Sequence, residues 1–196
     1  KKVVTSTGQL INKIAKDVGP SVVSVNVKVT TQTQSFFGFS QPSTQAGAGT
    51  GVILTSDGYI LTNRHVVPTE TTDISITLSN GTELKDVRVI GRTGSGDTLD
   101  IALLKITDLK GQKLVPAVLG DSAQVGVGDG VVAIGNALGQ FQNTVTSGII
   151  SGFGRSITAG SSSADAENLD DLFQTDAAIN QGNSGGPLVN LNGQVI

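Results

Sequence analysis

The sequence predicts an all-β protein: two small antiparallel barrels preceded by a short N-terminal helix. Three observations lead there. Glycine supplies 26 of 196 residues, while 37% are hydrophobic and 15% charged, a profile of loop-rich β proteins rather than of long helices. Residues 21–30 alternate almost strictly, Val23, Val25, Val27 and Val29 against Ser24, Asn26, Lys28 and Thr30. That is the period-two pattern of β-branched residues in a strand with one buried face. Short apolar runs bounded by turn residues then recur in two sets, on either side of a polar connector at 107–120, as small barrels require.

Taken in order, Leu10, Ile11, Ile14, Ala15 and Val18 share a helical face, and Gly19-Pro20 ends the run. After the valine strand, residues 31–49 turn to Gln, Ser, Thr and Gly and read as a mobile loop. Within it, Phe36, Phe37 and Phe39 are half of the six phenylalanines. They fit either a loop folding aromatics onto its own barrel or a contact with another subunit. Gly47-Ala-Gly-Thr-Gly51 precedes a strand and not a helix, so it is no dinucleotide fingerprint. Val52–Leu54 and Tyr59–Leu61 form a hairpin through Ser56-Asp57-Gly58. Strands are expected at Ile74–Leu78, Glu83–Ile90 and Ile101–Ile106, with Asn80-Gly81 as another hairpin turn.

Beyond the connector, which carries Gly111 and Pro116, strands are expected at Gly130–Ile134, Thr144–Phe153, Leu172–Gln174 and Pro187–Val189. A last one begins at Gln194. Residues 158–170, rich in Ser, Ala and Asp, read as a flexible surface loop. The expected division is an N-terminal segment and helix at 1–20, a first barrel at 21–110 and a second at 111–196.

A net charge of −3 without a basic run gives no indication of nucleic acid or an anionic membrane surface as partner. No apolar stretch reaches the roughly 18 residues a spanning helix needs. Cysteine is absent, which excludes disulfides and thiolate metal sites; no cofactor or metal is expected. Methionine is absent even at position 1, so a signal peptide or membrane anchor would lie upstream of Lys1. At Ile196 the second barrel still lacks closing strands, and further residues are expected there because an open sheet edge invites pairing.

The chemistry centres on Gly182-Asn183-Ser184-Gly185-Gly186-Pro187. Glycine serves where backbone turns sharply or another molecule must approach closely, so this run sets the Ser184 hydroxyl on a tight turn beside backbone N–H groups. A serine hydroxyl needs a base to become nucleophilic. His65, at the end of the Tyr59–Asn63 segment, is the one histidine in the chain. The carboxylate that would orient the imidazole is Asp100. Asp97 is an alternative, but Asp100 directly precedes the apolar Ile101–Ile106 strand, which would hold it rigid and partly desolvated. The order His65, Asp100, Ser184 is that of chymotrypsin-like enzymes, not of subtilisin or α/β-hydrolases.

Thr62-Asn-Arg-His65-Val-Val67, Asp100-Ile-Ala-Leu-Leu-Lys-Ile106, Ala133-Ile-Gly-Asn136, Thr146-Ser-Gly-Ile-Ile-Ser151 and Gln174-Thr-Asp-Ala-Ala-Ile-Asn180, continuing through Gly182–Pro187, together resemble the HtrA/Deg serine proteases. The similarity runs from about Leu10 to Ile196. It implies a chymotrypsin-like double β-barrel and ATP-independent endopeptidase quality control of misfolded or unfolded proteins outside the cytoplasm, in periplasm, envelope or secretions. It also implies a homotrimer, usually with PDZ domains after the protease. His65 becomes the general base, Asp100 its orienting acid and Ser184 the nucleophile. The oxyanion hole takes the N–H groups of Gly182 and Ser184, helped by the turn at Asn183.

In trypsin-like enzymes the residue six before the nucleophile sets charge preference at the base of the S1 pocket. Here it is Ala178, with Ile179 beside it, which predicts cleavage after small or medium aliphatic residues. Asn183 stands where digestive enzymes carry an Asp paired with a freed N-terminus, so control by loops, with residues 158–170 as sensor, is expected instead of zymogen cleavage. Gln181 and Ala137 depart from the family where proline (or, at 181, a basic residue) is common. A competing reading keeps the fold but makes the protein an inactive chaperone or binding module that holds unfolded chains; a purely structural β domain is a third.

Overall fold

The computed structural model describes residues 6–34, 40–94, 96–136, 144–159, 167–180 and 182–196. The predicted helix is α1 (Ser6–Val18), which buries Ile14 and Val18 while Lys13 and Asp17 pair on its outer face. Gly19–Ser21 closes it as a 3-10 turn, with Pro20 near its start, where a missing N–H costs nothing.

Seven strands form the first sheet: β1 (Val22–Gln34), β2 (Ser40–Ile53), β3 (Tyr59–Thr62), β4 (Thr71–Thr77), β5 (Glu83–Leu84), β6 (Val87–Arg92) and β7 (Ala102–Ile106). They lie in the order β5-β4-β1-β2-β3-β7-β6. Val23, Val25 and Val27 point into its core with Ile53, Ile60, Ile76, Leu84, Leu104 and Ile106, as the alternation requires. Much of the expected 31–49 loop is strand. β1 and β2 pair without interruption from Val22↔Val52 to Gln34↔Ser40. An antiparallel ladder satisfies backbone groups whatever the side chains are, so polar residues there conceal a strand instead of breaking it. Phe36, Phe37 and Phe39 lie outside the described residues.

The run expected as one strand at Glu83–Ile90 is two. Leu84 pairs with Ile76 of β4, whereas Val87 pairs with Ile106 of β7. The chain thus steps from one edge of the sheet to the other within three residues, and β4 meets β6. That step curls the sheet into a barrel.

The second sheet has four strands, β8 (Gly130–Gly135), β9 (Thr144–Ala159), β10 (Glu167–Thr175) and β11 (Leu188–Asn190), in the order β10-β9-β8-β11. α1 packs here: Ile14, Val18, Val22, Val132, Ile134 and Val189 share one core. β1 therefore begins in the second core at Val22 and enters the first at Val23. Val195 bridges Val189 and Leu119, where a strand was expected to begin. β9 and β10 are longer than predicted, so Thr158, Ala159 and residues 167–170 are strand rather than loop; residues 160–166 lie outside the described residues. Phe153 and Phe173 meet edge to face across this ribbon at 5.3 Å, a favoured aromatic geometry. No described helix is long and apolar enough to cross a membrane.

Candidate active site

β3 runs into extended Asn63 and then a 3-10 turn, Arg64–Val66. The turn buries Arg64 and Val66 and lifts His65 outward, leaving its side chain 48% exposed against 8% for Asp100. His65 Nδ1 lies 2.5 Å from Asp100 Oδ2, and the His65 backbone N–H donates to Asp100 Oδ1 at 3.0 Å. One residue thus engages both carboxylate oxygens, fixing the imidazole tautomer that leaves Nε2 as the acceptor. Asn63 Nδ2 donates to the Asp100 carbonyl at 2.7 Å. Buried Arg64 donates to the Gly94 carbonyl and lies 3.4 Å from the Leu99 carbonyl, gripping the loop that leads to Asp100.

Burial works to raise the pKa of Asp100, but the His65 hydrogen bonds and charge, with Arg64 nearby, outweigh it and leave the carboxyl below its ordinary range. Asp100 therefore stays ionised beside the imidazole. Asp97, the alternative acid, instead accepts the Gly94 N–H within its own loop.

The serine half is a turn that glycine makes possible. Gly182 and Gly185 have φ of +117° and +82°, conformations that side chains resist. A Cβ on Gly185 would fall on Thr50 O and Thr62 Oγ1 and sit 3.2 Å from Asn63 N. The residue after Ser184 is thus seated against the strand end that carries His65. Beneath, a Cβ on Gly135 would come within 2.7 Å of Asn183 Cα and Gly182 O.

Of the three residues expected at the oxyanion hole, Asn183 is placed differently from the others. Its backbone N–H donates to Asn180 O at 3.3 Å, so it supplies no donor to a substrate. Its side chain braces the turn instead, donating to Ala178 O and accepting from Asn180 N, both at 3.1 Å. The amides of Gly182 and Ser184 are engaged by no hydrogen bond among the described residues.

Ala178 and Ile179 are both exposed, Ile179 at 62%. The Ala178 carbonyl is held by Thr146 Oγ1 at 3.0 Å. Asp176 lies close by, but its carboxylate accepts the Ile149 N–H at 2.7 Å. Gly148 has no room for a Cβ against Asp176 and Ala177. A cavity of about 690 Å³ beside Asp121, Asp129 and Leu191 contains none of these groups. Among the described residues no cluster of His, Cys, Asp or Glu could hold a metal.

Sequence reasoning missed the polar groups joining the halves. Thr50 Oγ1 donates to Gly182 O at 2.7 Å and accepts from Asn136 N at 2.8 Å, and Thr62 Oγ1 donates to Thr50 O at 2.6 Å. Ser24 Oγ donates to Asn136 O. A polar residue between Gly49 and Gly51, at a strand position, was the available signal for Thr50.

An imidazole oriented by a carboxylate beside a serine on an amide-lined turn can perform acyl transfer. The model of the trypsin-like peptidase domain matches residues 49–196. The chain belongs to the trypsin-like peptidase family. Within it, the chain matches the periplasmic pH-dependent serine endoprotease DegQ of Escherichia coli K12, at 44% identity over 90% of this chain and 39% of that protein. The serine protease Do-like HtrA of Bacillus subtilis is 37% identical over 95% of this chain and 41% of its own length. The chain thus spans about two fifths of these relatives and is an HtrA/Deg-type protease domain. Among solved structures, Deg5 matches all of this chain and 86% of its own at TM-score 0.74 and 29% identity. The HtrA-type protease AlgW with tripeptide matches 95% of this chain and 52% of its own at 0.71 and 33%. The trypsin-like peptidase fold is the chymotrypsin-like double barrel, here with one short N-terminal helix.

Proposed function

We propose that the protein is a serine endopeptidase that cleaves unfolded polypeptides outside the cytoplasm, without ATP, through an acyl-enzyme. The observation that carries this reading is the 2.5 Å pairing of His65 Nδ1 with Asp100 Oδ2 next to the Gly182–Gly185 turn. Names of relatives as periplasmic serine endoproteases support the location and the reaction class.

In this mechanism Ser184 Oγ attacks the scissile carbonyl carbon as its proton passes to His65 Nε2. The carbonyl oxygen gains negative charge and is held by the N–H groups of Gly182 and Ser184; one such donor is worth about 2.7–4 kcal/mol. The tetrahedral intermediate collapses, the C–N bond breaks, and His65 returns the proton to the leaving amine. Water, deprotonated by His65, then attacks the acyl carbon and restores Ser184. Asp100 remains ionised and stabilises the imidazolium. Ala178 and Ile179 offer no carboxylate at the base of S1, which favours aliphatic P1 residues. A homotrimer is the expected assembly.

A fluorophosphonate probe should label the wild-type protein and not Ser184→Ala, and casein, an unfolded substrate, should be cut only by the former. A peptide library should be cut after Val, Ala or Leu. Cleavage chiefly after Arg would refute the S1 assignment. An unlabelled Ser184 in a protein that still binds unfolded chains would favour the chaperone reading instead.

A further inference from the structure

Thr50 is fully buried in the ladder between β1 and β2, opposite Ser24 and two pairs from its end. It makes four hydrogen bonds, and their directions matter more than their number. The Asn136 N–H points at Thr50 Oγ1, at 2.8 Å, so the hydroxyl must accept there. Its single proton is then committed to Gly182 O, at 2.7 Å. The backbone N–H of Thr50 donates to Ser184 O at 2.8 Å, and its carbonyl accepts from Thr62 Oγ1 at 2.6 Å.

We propose that Thr50 is a positioning residue for the oxyanion hole, holding the amides of Gly182 and Ser184 toward the reacting carbonyl by gripping the carbonyls of the same two residues. The proposal rests on the reading of Ser184 as nucleophile. Peptide units are planar, and a trans unit points its C=O and N–H in opposite directions. With Gly182 O drawn to Thr50, the Asn183 N–H faces the other way, where Asn180 O receives it at 3.3 Å. The unit after Gly182 is therefore pinned at both ends. The unit after Ser184 is pinned by the Thr50 amide. Between them lies the unit carrying the Ser184 N–H, whose own carbonyl, Asn183 O, accepts the Gly186 N–H at 2.8 Å, and just before them the Gly182 N–H; both amides adjoin units that Thr50 fixes. Gly182, at φ +117°, has no Cβ to restrict it, so the orientation of its peptide units depends on hydrogen bonds. The Thr62 contact adds registry: the same residue that sets the oxyanion donors also touches the strand end leading to His65.

The test compares Thr50→Val, which keeps the shape and loses the hydroxyl, with Thr50→Ser, which keeps it, in the protein at its natural length. Kinetics are expressed per active site titrated with fluorophosphonate, and affinity is measured for a peptidyl boronate, which forms a tetrahedral adduct on serine. Thr50→Val should lower kcat about 100-fold, the scale of one lost or displaced oxyanion donor, with KM within about threefold. Boronate affinity should fall in parallel, while Thr50→Ser stays within about threefold of wild type.

A purely structural role would lower thermal stability and the number of active sites, yet leave kcat per site and boronate affinity unchanged. That result overturns the proposal, as does Thr50→Ser failing as badly as Thr50→Val. If Thr50→Val does not fold, Thr50→Cys decides, since a thiol is a weak donor; its wild-type kcat would overturn the proposal and a reduced one supports it. Should the wild-type protein neither hydrolyse peptide nor bind the boronate, the reading of Ser184 fails first and takes this proposal with it.

Discussion

Gly135 lies at the end of β8 with nothing strained in its backbone, so replacing it by alanine tests packing alone. The added Cβ would sit 2.7 Å from Asn183 Cα, Asn183 Cβ and Gly182 O, where ordinary contact begins at 3.4 Å. Something must move by about 0.7 Å, and the near atoms are largely the backbone of the nucleophile turn rather than a flexible side chain. A misplacement of about 1 Å costs on the order of 100-fold in rate, so Gly135→Ala should lower kcat per titrated site by roughly 30- to 100-fold. Overpacking costs about 1–3 kcal/mol, which in a chain of this size lowers Tm by about 2–12 °C. The fold should survive, with the far-ultraviolet spectrum unchanged. Stopped-flow hydrolysis of a fluorogenic peptide and a thermal melt provide both readings. A Gly135→Ala protein with lowered Tm and wild-type kcat would refute the reasoning, because it would show that the turn's position does not govern catalysis.

Asp100→Asn should keep the loop in place and favour the wrong imidazole tautomer; the matching change in the best-studied enzyme of this geometry costs about 10⁴-fold in kcat. It should also alter acid stability. The pKa of Asp100 is lowered in the fold, so its stabilisation is present above the ordinary carboxylate range and is lost as pH falls through the lowered value. Thermal melts of Asp100→Asn should therefore lose less Tm on acidification than those of wild type, and equal losses would contradict the shift. Ala178→Asp, at a position whose carbonyl is held by Thr146 and Asn183, should move the preference of a peptide library toward Lys and Arg at P1 by about tenfold, or 1.4 kcal/mol. An unchanged profile would place Ala178 outside S1.

Strand identity was legible wherever one face of a strand is dry. Val23, Val25 and Val27 announce β1 because every second residue enters the core. Beyond Thr30 the ladder continues on backbone hydrogen bonds alone, and composition there resembles a loop. The break at Lys85-Asp86 escaped notice for a related reason: Leu84 and Val87 are both apolar, but each pairs with a different strand, and periodicity does not say which. Among site residues, His65 and Ser184 stand out by rarity and by neighbouring glycines. Asp100 followed from its place before an apolar strand. The role of Asn183 was half visible. Its lack of charge could be read directly, while the turning of its N–H toward Asn180 depends on the peptide plane, which residue type does not encode. Thr50 has none of these marks, because its importance comes from contacts more than 80 residues away in the chain.

Those distant contacts explain why the seam between the sheets is polar. Where strands end against a turn, carbonyls and amides lose their ladder partners, and buried ones must find others. Here Thr50 and Thr62 provide them at 2.6–2.8 Å, with Ser24 on the neighbouring strand. The one buried side-chain polar atom without a partner among the described residues, Thr71 Oγ1, is at the start of β4 and not in this seam. Apolar packing would hold the two sheets together equally well, but it is non-directional and tolerates sliding. Catalytic groups must be held to within about 0.5 Å. A hydroxyl that accepts from one sheet and donates to the nucleophile turn imposes an angle as well as a distance. Under the proposed mechanism, that constraint lets a base carried by the first sheet and a nucleophile seated on the second act as one site.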